Sequence, residues 1–136
     1  MLSLAVRNTK KLVRAQVKEN NVRLGRFFTK KETAALMASF PVLPEKEEVR
    51  LLDPGAGTGI LAAAMAERLA KSGTVRVIRL ECFETDPLFL PMLRDNLERI
   101  RRKCRHDYKV KIFPVVREED YVTAPRVGGE GGYDLV

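Results

Sequence analysis

Apolar residues recur along the chain at two spacings, which predict helices and strands. Four stretches repeat them every three or four positions, the period of a helix with one buried face; they lie at residues 2–19, 30–40, 60–71 and 88–102. Four shorter stretches are continuously apolar or alternate with polar residues, as strands do; they lie at residues 49–53, 75–83, 108–116 and 133–136. Helices between successive strands are typical of a parallel sheet, so the pattern predicts the α/β class.

Residues with known capping preferences place two of the helix starts. Thr29 is followed three positions later by Glu32, and this capping box predicts that the second helix begins at Lys30. Asp86 has the position of an N-cap, with Pro87 as the first residue of the last helix.

The positive charge of the protein is concentrated near residue 1. The chain has 25 Lys and Arg against 18 Asp and Glu, a net charge of +7. Residues 1–31 hold nine basic residues and one acidic residue, a net of +8, so the rest of the chain carries −1. Such a segment attracts phosphate backbones without sequence preference, and a solvated helix face has the same composition.

Hydropathy and cysteine usage favour a cytoplasmic protein. No apolar run reaches the roughly 18 residues that a membrane helix needs, and the apolar part of the N-terminus is too short for a secretory signal. Its basic, acid-poor character also suits a transit peptide or a helix that faces nucleic acid. Cys82 and Cys104 have no spacing typical of zinc, so we expect reduced thiols and no metal site.

The chemistry of the chain is concentrated where the first strand meets the third helix. Residues 53–59 read Asp-Pro-Gly-Ala-Gly-Thr-Gly. Glycines at alternate positions let the backbone bend sharply and let a ligand lie against it. The helix that follows directs free N–H groups and the positive end of its dipole at the loop. Asp53 ends the strand at the edge where open parallel sheets bind ligands, so the loop predicts a nucleotide-like cofactor site.

Two classes of cofactor compete for this loop. A dinucleotide fingerprint is Gly-x-Gly-x-x-Gly, whereas this chain has Gly-x-Gly-x-Gly. Asp53 would repel a pyrophosphate but suits a cation such as the amino group of a methionine moiety. The loop resembles motif I of the S-adenosylmethionine-dependent methyltransferases, which reads Asp-Pro-Gly-x-Gly-Thr-Gly in many DNA methylases. The resemblance implies S-adenosylmethionine as the cofactor, bound by Asp53, Pro54, Gly55, Ala56, Gly57, Thr58 and Gly59.

A second stretch, Gly-Arg-Phe-Phe-Thr at residues 25–29, resembles motif X of the γ-class adenine-specific DNA methyltransferases. The family pattern is Gly-Gln-Phe/Tyr-Phe-Thr-Pro followed by a helix, and motif X precedes motif I in that class, as it does here. Lys30 stands where the family has proline. The resemblance implies that Thr29 helps to hold the methionine end of the cofactor, while Phe27 and Phe28 also suit a hydrophobic core.

Two further acidic positions resemble family motifs. Glu84-Thr85-Asp86-Pro87 matches the family pattern Glu-x-Asp-Pro. A carboxylate at the end of the second strand can accept hydrogen bonds from both ribose hydroxyls, a role that we assign to Glu84. Asp120-Tyr121 resembles motif III, which implies that Asp120 accepts from the exocyclic amino group of adenine while Tyr121 stacks on the ring. A surface acidic loop would have the same composition.

The combined resemblance implies the cofactor-binding part of a DNA adenine-N6 methyltransferase of a restriction–modification system, with double-stranded DNA as the partner of the full protein. The fold would be Rossmann-like and truncated, with about three complete parallel strands and the start of a fourth. Prolines at 41 and 44 separate a helical segment, 1–44, from a partial cofactor-binding domain, 45–136. The catalytic Asn/Asp-Pro-Pro-Tyr/Phe motif is absent from these residues, so we expect no catalytic residue here. The unpaired edge strand favours self-association.

Three alternatives remain open. An RNA or protein methyltransferase would share the glycine-rich loop and Glu84, and would differ in the residues beyond the fourth strand. A domain of an NAD-dependent dehydrogenase is disfavoured by Asp53 and by the glycine spacing. A non-enzymatic nucleic-acid-binding module would rest on the basic residues of the N-terminal segment and would not bind S-adenosylmethionine.

Overall fold

The structure is a computed structural model that describes residues 2–17, 29–125 and 132–136. The elements, in chain order, are α1 (Leu2–Val17), α2 (Lys31–Ser39), β1 (Glu48–Asp53), α3 (Ile60–Lys71), β2 (Val77–Phe83), α4 (Leu90–Tyr108) and β3 (Lys111–Arg117). The predicted alternation of strands and helices is confirmed. Within those ranges, none of the helices combines the length and the apolar character that crossing a membrane requires.

The strands form one parallel sheet in the order β1-β2-β3. Residues 132–136, the C-terminal bridge segment, pair with the other edge of β1 through a parallel bridge between Leu51 and Leu135. The Leu52 N–H donates to the Leu135 carbonyl at 2.9 Å, and the Leu135 N–H donates to the Arg50 carbonyl at 3.2 Å. The chain therefore moves outward from β1 in one direction and returns to its opposite side. Such a reversal is a topological switch point, where open α/β sheets bind their ligands.

One hydrophobic core joins the sheet to all four helices. Val49 and Leu51 of β1 lie opposite Ile78 and Leu80 of β2, and all four are at most 5% exposed. α4 packs against β3 and α3, while α1 and α2 pack on α3. Small side chains on α3 let these helices approach it closely; the buried ones are Ala62, Ala63, Ala64, Ala66 and Ala70. Because α1 and α2 contribute to the same core, the division at residue 44 stays a prediction.

The opposite face of the sheet carries charged side chains together with apolar ones such as Phe113 and Val115, which are 48% exposed. Arg79 Nε lies 2.5 Å from Glu48 Oε1, and the Arg79 guanidinium lies 5.3 Å from the centre of the Phe113 ring. Arg117 pairs with Glu81 on the neighbouring strand. Ion pairs and cation–π contacts between strands therefore stabilise this face where burial does not.

The predicted start of α2 is wrong by one residue, and its capping box does not form. Lys30 has the extended backbone of an N-cap, with φ −67° and ψ 152°, and makes no side-chain capping bond. The helix therefore begins at Lys31. Glu32 then falls at the second helical position, whereas the capping box requires it at the third. The N-cap residue is thus Lys30, whose side chain has no acceptor atom and cannot cap the helix.

The predicted bounds of α4 are wrong at both ends. Asp86 caps a separate turn, in which the Leu88 N–H donates to Asp86 Oδ1 at 2.9 Å, and the helix begins only at Leu90. It continues to Tyr108 because Cys104 extends its buried face by another turn. Lys109, with a left-handed φ of 58°, ends it. The third strand accordingly begins at residue 111 rather than 108.

Both cysteines are buried and neither forms a disulfide. Cys82 lies in β2, and Cys104 lies on the buried face of α4. Burial raises the pKa of the Cys82 thiol far above its ordinary value and that of Cys104 to about 12. Because the thiolate is the reactive form, both side chains behave as small apolar groups.

Candidate functional site

The loop between β1 and α3, residues 54–59, is the glycine loop. Its backbone takes left-handed φ values of +55° at Gly57 and +87° at Gly59. A Cβ at Gly59 would lie 3.1 Å from Leu93 Cδ1, whereas a Cβ at Gly55 or Gly57 would meet no atom within 4 Å. Gly59 is therefore favoured both by its left-handed backbone and by its close approach to Leu93 of α4. Gly55 and Gly57 leave an open side on which a ligand can contact the backbone.

Asp53, the last residue of β1, holds a buried carboxylate that is only half satisfied. Asp53 is 8% exposed. Oδ1 accepts from the Gly55 N–H at 3.4 Å, while Oδ2 is buried without a hydrogen-bond partner among the residues that the structure describes. Burial raises the pKa of Asp53, the Gly55 bond opposes this shift, and the negative charge of Glu84 adds to it. An unpaired buried carboxylate oxygen is costly, so this atom is suited to a positively charged or hydrogen-bond-donating ligand group.

A cavity of about 130 Å³, the switch pocket, lies beside Asp53 at the point where the strand order reverses. Its walls come from the end of α2, the first turns of α3, the end of β1 and the C-terminal bridge segment. The lining residues are Met37, Ala38, Pro41, Leu51, Leu52, Asp53, Pro54, Leu61, Ala62, Met65, Leu135 and Val136. Among these described residues, Asp53 alone has an ionisable side chain. The pocket therefore combines apolar walls with one buried negative charge, a composition typical of ligand sites.

Glu84, just after β2, is held at the rim of the glycine loop by backbone amides. Oε2 accepts from the Gly57 N–H at 2.7 Å, and Oε1 accepts from the N–H groups of Thr85 and Asp86 at 3.0 and 2.9 Å. The structure thus brings Glu84 together with the predicted loop. A carboxylate has about four acceptor positions, and three are occupied here. For Glu84 to accept hydrogen bonds from two ribose hydroxyls, one hydroxyl would therefore have to replace the Gly57 N–H.

Asp120 and Tyr121 lie beside the end of β2, but they differ in what they offer a ligand. The Tyr121 ring packs edge-on against Phe83, with ring centres 5.2 Å apart, so an aromatic wall stands next to Glu84. Asp120 is exposed and caps a turn, in which the Val122 N–H donates to Asp120 Oδ1 at 2.9 Å. One Asp120 oxygen is therefore engaged within its own turn, and the other would have to serve the predicted contact with adenine.

Among the predicted site residues, Asp53 and Pro54 line the switch pocket. Thr29 neither lines the pocket nor contacts the glycine loop through any hydrogen bond that the described residues show. It is half-buried ahead of α2, whereas the α2 residues that line the pocket, Met37 and Ala38, are at the other end of that helix. The rest of the stretch that resembles motif X, with Phe27 and Phe28, lies outside the described residues. The assignment of Thr29 to the methionine end of the cofactor stays a prediction.

The side chain of Thr58 is used inside the protein. It is 2% exposed, and its Oγ1 lies 2.6 Å from Oγ1 of Thr9 on α1. The Thr58 carbonyl accepts from Asn96 Nδ2 of α4 at 2.7 Å, and Asn96 Oδ1 accepts from Asn8 Nδ2 at 2.7 Å. Only the backbone of Thr58 is therefore available to a ligand, a distinction that the motif alone does not make.

Sequence reasoning missed three of these polar residues: Asn8, Thr9 and Asn96. Each is at most 6% exposed although its side chain is polar. A signal was present, because Thr9 falls on the three- and four-residue spacing of the apolar positions of α1. A polar residue on an apolar stripe predicts a buried hydrogen-bond partner, but the pattern does not say which partner.

Comparisons with known proteins identify the class of fold. No family model and no curated protein matches the chain. A solved structure that does match is a protein from Listeria monocytogenes, provisionally described as a class I S-adenosylmethionine-dependent methyltransferase. The TM-score is 0.61 at 19% sequence identity, and the match covers 90% of this chain and 36% of that one. The chain thus has the Rossmann-like fold of the class I methyltransferases, as predicted, and spans about a third of the length of that structure.

Proposed function

We propose that the chain binds S-adenosylmethionine at the glycine loop, as the cofactor-binding part of a methyltransferase. The observation that carries the proposal is the Asp53 carboxylate, whose buried Oδ2 has no hydrogen-bond partner in the described parts of the chain. Asp53 also lines a pocket at the switch point of the sheet. The amino group of the methionine moiety would supply the missing positive charge. A dinucleotide would instead bring a pyrophosphate toward a buried carboxylate, which is unfavourable.

The other residues of the site fit the remaining parts of this cofactor. Gly55 and Gly57 leave room for a ligand against the backbone. Glu84 has an acceptor position for a ribose hydroxyl. The Tyr121 ring contacts Phe83 at the end of β2, which supports our assignment of Tyr121 and Asp120 to the adenine ring. We retain Thr29 as a candidate for the methionine end. When bound, the cofactor supplies an activated methyl group, while the protein supplies orientation and charge.

We further propose that the methyl acceptor of the whole protein is adenine in double-stranded DNA, in a cytoplasmic restriction–modification system. The order along the chain of the stretches that resemble motif X, motif I, the Glu-x-Asp-Pro pattern and motif III supports this proposal. The basic N-terminal segment supports it too, because Arg7, Lys10 and Lys11 are exposed on α1 and can contact phosphates. An enzyme acting on adenine in a duplex takes the base out of the stack. RNA or protein as the acceptor remains the alternative.

Calorimetric titration with S-adenosylmethionine tests the proposed site. The variants are Asp53→Asn and Glu84→Gln, which preserve shape while removing a charge. The matched control is Glu45→Gln, because Glu45 is exposed ahead of β1, at the opposite end of that strand. We expect wild type and the control to bind with equal affinity, and Asp53→Asn to bind at least about tenfold more weakly, as for a lost charge-assisted hydrogen bond.

A parallel titration with NAD separates the cofactor classes. Binding of NAD in place of S-adenosylmethionine would contradict the proposal and favour a dehydrogenase domain. Failure of the folded wild-type chain to bind S-adenosylmethionine would also contradict it. A chain that binds duplex DNA with steep salt dependence and neither cofactor would support the non-enzymatic nucleic-acid-binding alternative.

A further inference from the structure

Thr58 is held from two sides by two different helices. Its hydroxyl contacts Thr9 of α1 at 2.6 Å, and its carbonyl accepts from Asn96 of α4 at 2.7 Å. The residues before and after it are Gly57 and Gly59, both with left-handed φ values. Because these glycines have wide conformational freedom, the bonds of Thr58 restrain the part of the loop with the weakest intrinsic preference.

The single proton of each hydroxyl group determines which threonine is the donor in the bond between Thr9 and Thr58. The Thr9 hydroxyl donates to the Ala5 carbonyl at 2.8 Å. A threonine hydroxyl has one proton and two acceptor lone pairs, so the Thr9 oxygen is an acceptor toward Thr58. Both side chains are at most 3% exposed. Removal of the Thr9 oxygen would therefore leave the Thr58 hydroxyl proton buried without this partner.

α1 is itself anchored where it contacts the loop. Leu2 and Ala5 are buried in the common core, and the Leu2 N–H donates to Glu67 Oε2 of α3 at 3.3 Å. Asn8, one residue before Thr9, donates to Asn96 at 2.7 Å. The two bonds of Thr58 thus belong to one connected set of buried polar contacts. A connected and satisfied network of this kind restricts its members to one arrangement.

We propose that α1 is a positioning element of the cofactor loop, and that Thr9 is its positioning residue, acting through Thr58. This inference rests on the proposed function, because it assigns to α1 the task of holding the glycine loop in the conformation that binds the cofactor. The loop is then preorganised before the ligand arrives, and preorganisation lowers the cost of binding.

The test compares Thr9→Val, which has the same shape and no hydroxyl, with Thr9→Ser, which keeps the hydroxyl. Ile100→Val is the control, because it removes one buried methyl group from α4 and makes no change to the network. Amide hydrogen exchange is followed at Gly57 and Gly59, whose N–H groups are bonded to Glu84 and Ala56. In the ligand-free chain we expect about tenfold faster exchange at these amides in Thr9→Val alone.

The same variants are titrated with S-adenosylmethionine at a temperature at which all are fully folded. We expect about fivefold to tenfold weaker binding by Thr9→Val. Thr9→Ser and Ile100→Val should bind within about twofold of wild type, since a merely structural loss would affect Ile100→Val as well.

The outcomes separate the two proposals. Unchanged exchange at Gly57 and Gly59, an equal change in Ile100→Val, or equal affinity of wild type and Thr9→Val would each overturn the positioning role. If wild type fails to bind S-adenosylmethionine, the proposed function fails. The exchange comparison then still decides whether α1 holds the loop.

Discussion

At the scale of single residues, Asp53 is expected to weaken the ligand-free fold at neutral pH. Its Oδ2 is buried with no partner in residues 2–17, 29–125 and 132–136, and burial raises the Asp53 pKa from the ordinary value of 3.8. A carboxyl group with a raised pKa favours the folded state at low pH, and that contribution is lost as the pH rises through the raised value. The charge that prepares the site for a cation is therefore carried at a cost in stability.

We predict that Asp53→Asn is more stable than wild type at pH 7, by about 1–2 kcal/mol, because the unpaired charge is removed. The difference should shrink as the pH falls below the raised pKa and should level off below 3.8, where Asp53 of wild type is protonated in both the folded and the unfolded state. Urea unfolding followed by circular dichroism at several pH values measures it. Glu45→Gln is the control, since Glu45 is exposed ahead of β1. A less stable Asp53→Asn at pH 7 would mean that the Asp53 charge is already compensated in the ligand-free chain.

At the scale of elements, Arg68 connects α3 to the end of α2. Its Nη1 donates to the carbonyls of Ala38 and Pro41, each at 2.6 Å. These carbonyls lie where α2 ends, and the same residues form one wall of the switch pocket. The position of α2 therefore depends on a charged side chain of a neighbouring helix as well as on apolar packing.

We predict that Arg68→Met lowers the free energy of unfolding by about 1.5–3 kcal/mol, because it removes charge-assisted bonds to two carbonyls and keeps the apolar stem. Equilibrium urea denaturation measures the loss. Arg68→Lys should recover part of the stability, since an ammonium group can reach one of the carbonyls but lacks the geometry of the guanidinium. Equal stability of wild type and Arg68→Met would show that packing alone positions α2.

The elements also show what the sequence can predict. α3 has the predicted bounds, Ile60–Lys71, because a glycine starts it, a Ser-Gly pair follows its end, and its alanines favour helix throughout. The predicted start of α4 was wrong because Asp86 satisfies a local turn equally well. The pairing of Thr9 with Thr58 joins residues 49 positions apart, and helical periodicity carries no information on contacts of that range.

At the scale of the whole molecule, Asp134 fastens the C-terminal bridge segment to β1. Oδ1 pairs with Lys46 Nζ at 2.6 Å, and Oδ2 accepts from the Arg50 N–H at 2.8 Å. Two hydrogen bonds lower the pKa of Asp134 from its ordinary value of 3.8; the bond from Lys46 has the larger effect and the bond from the Arg50 N–H the smaller one. Stability from a lowered carboxyl pKa is present above 3.8 and is lost as the pH falls through the lowered value.

We predict that Asp134→Asn loosens the reversal of strand order at pH 7. The Leu52 and Leu135 amides form hydrogen bonds across this junction, and their hydrogen exchange should become faster than in wild type. Exchange of the amides that pair β2 with β3 should stay the same. The two proteins should converge when the pH falls below the lowered pKa of Asp134. A uniform change in all three strands would show instead that Asp134 supports the whole sheet.

The predicted self-association of the chain belongs to this scale too and stays a prediction. The described sheet exposes Phe113 and Val115 on β3, each at 48%. Lys111 and Arg117 at the two ends of β3 place positive charge along that strand, and charged side chains on an edge oppose pairing between copies.

The burial of both cysteines makes the chain convenient for optical measurements. Neither Cys82 nor Cys104 should react with maleimide dyes at neutral pH, because each thiol is buried with a raised pKa. A single cysteine introduced at the exposed Ser3 of α1 would then be the one site that takes a fluorophore. The chain has no tryptophan, so a tryptophan introduced near the glycine loop would be the sole indole emitter. Together they would report how α1 moves relative to the loop as ligand is added.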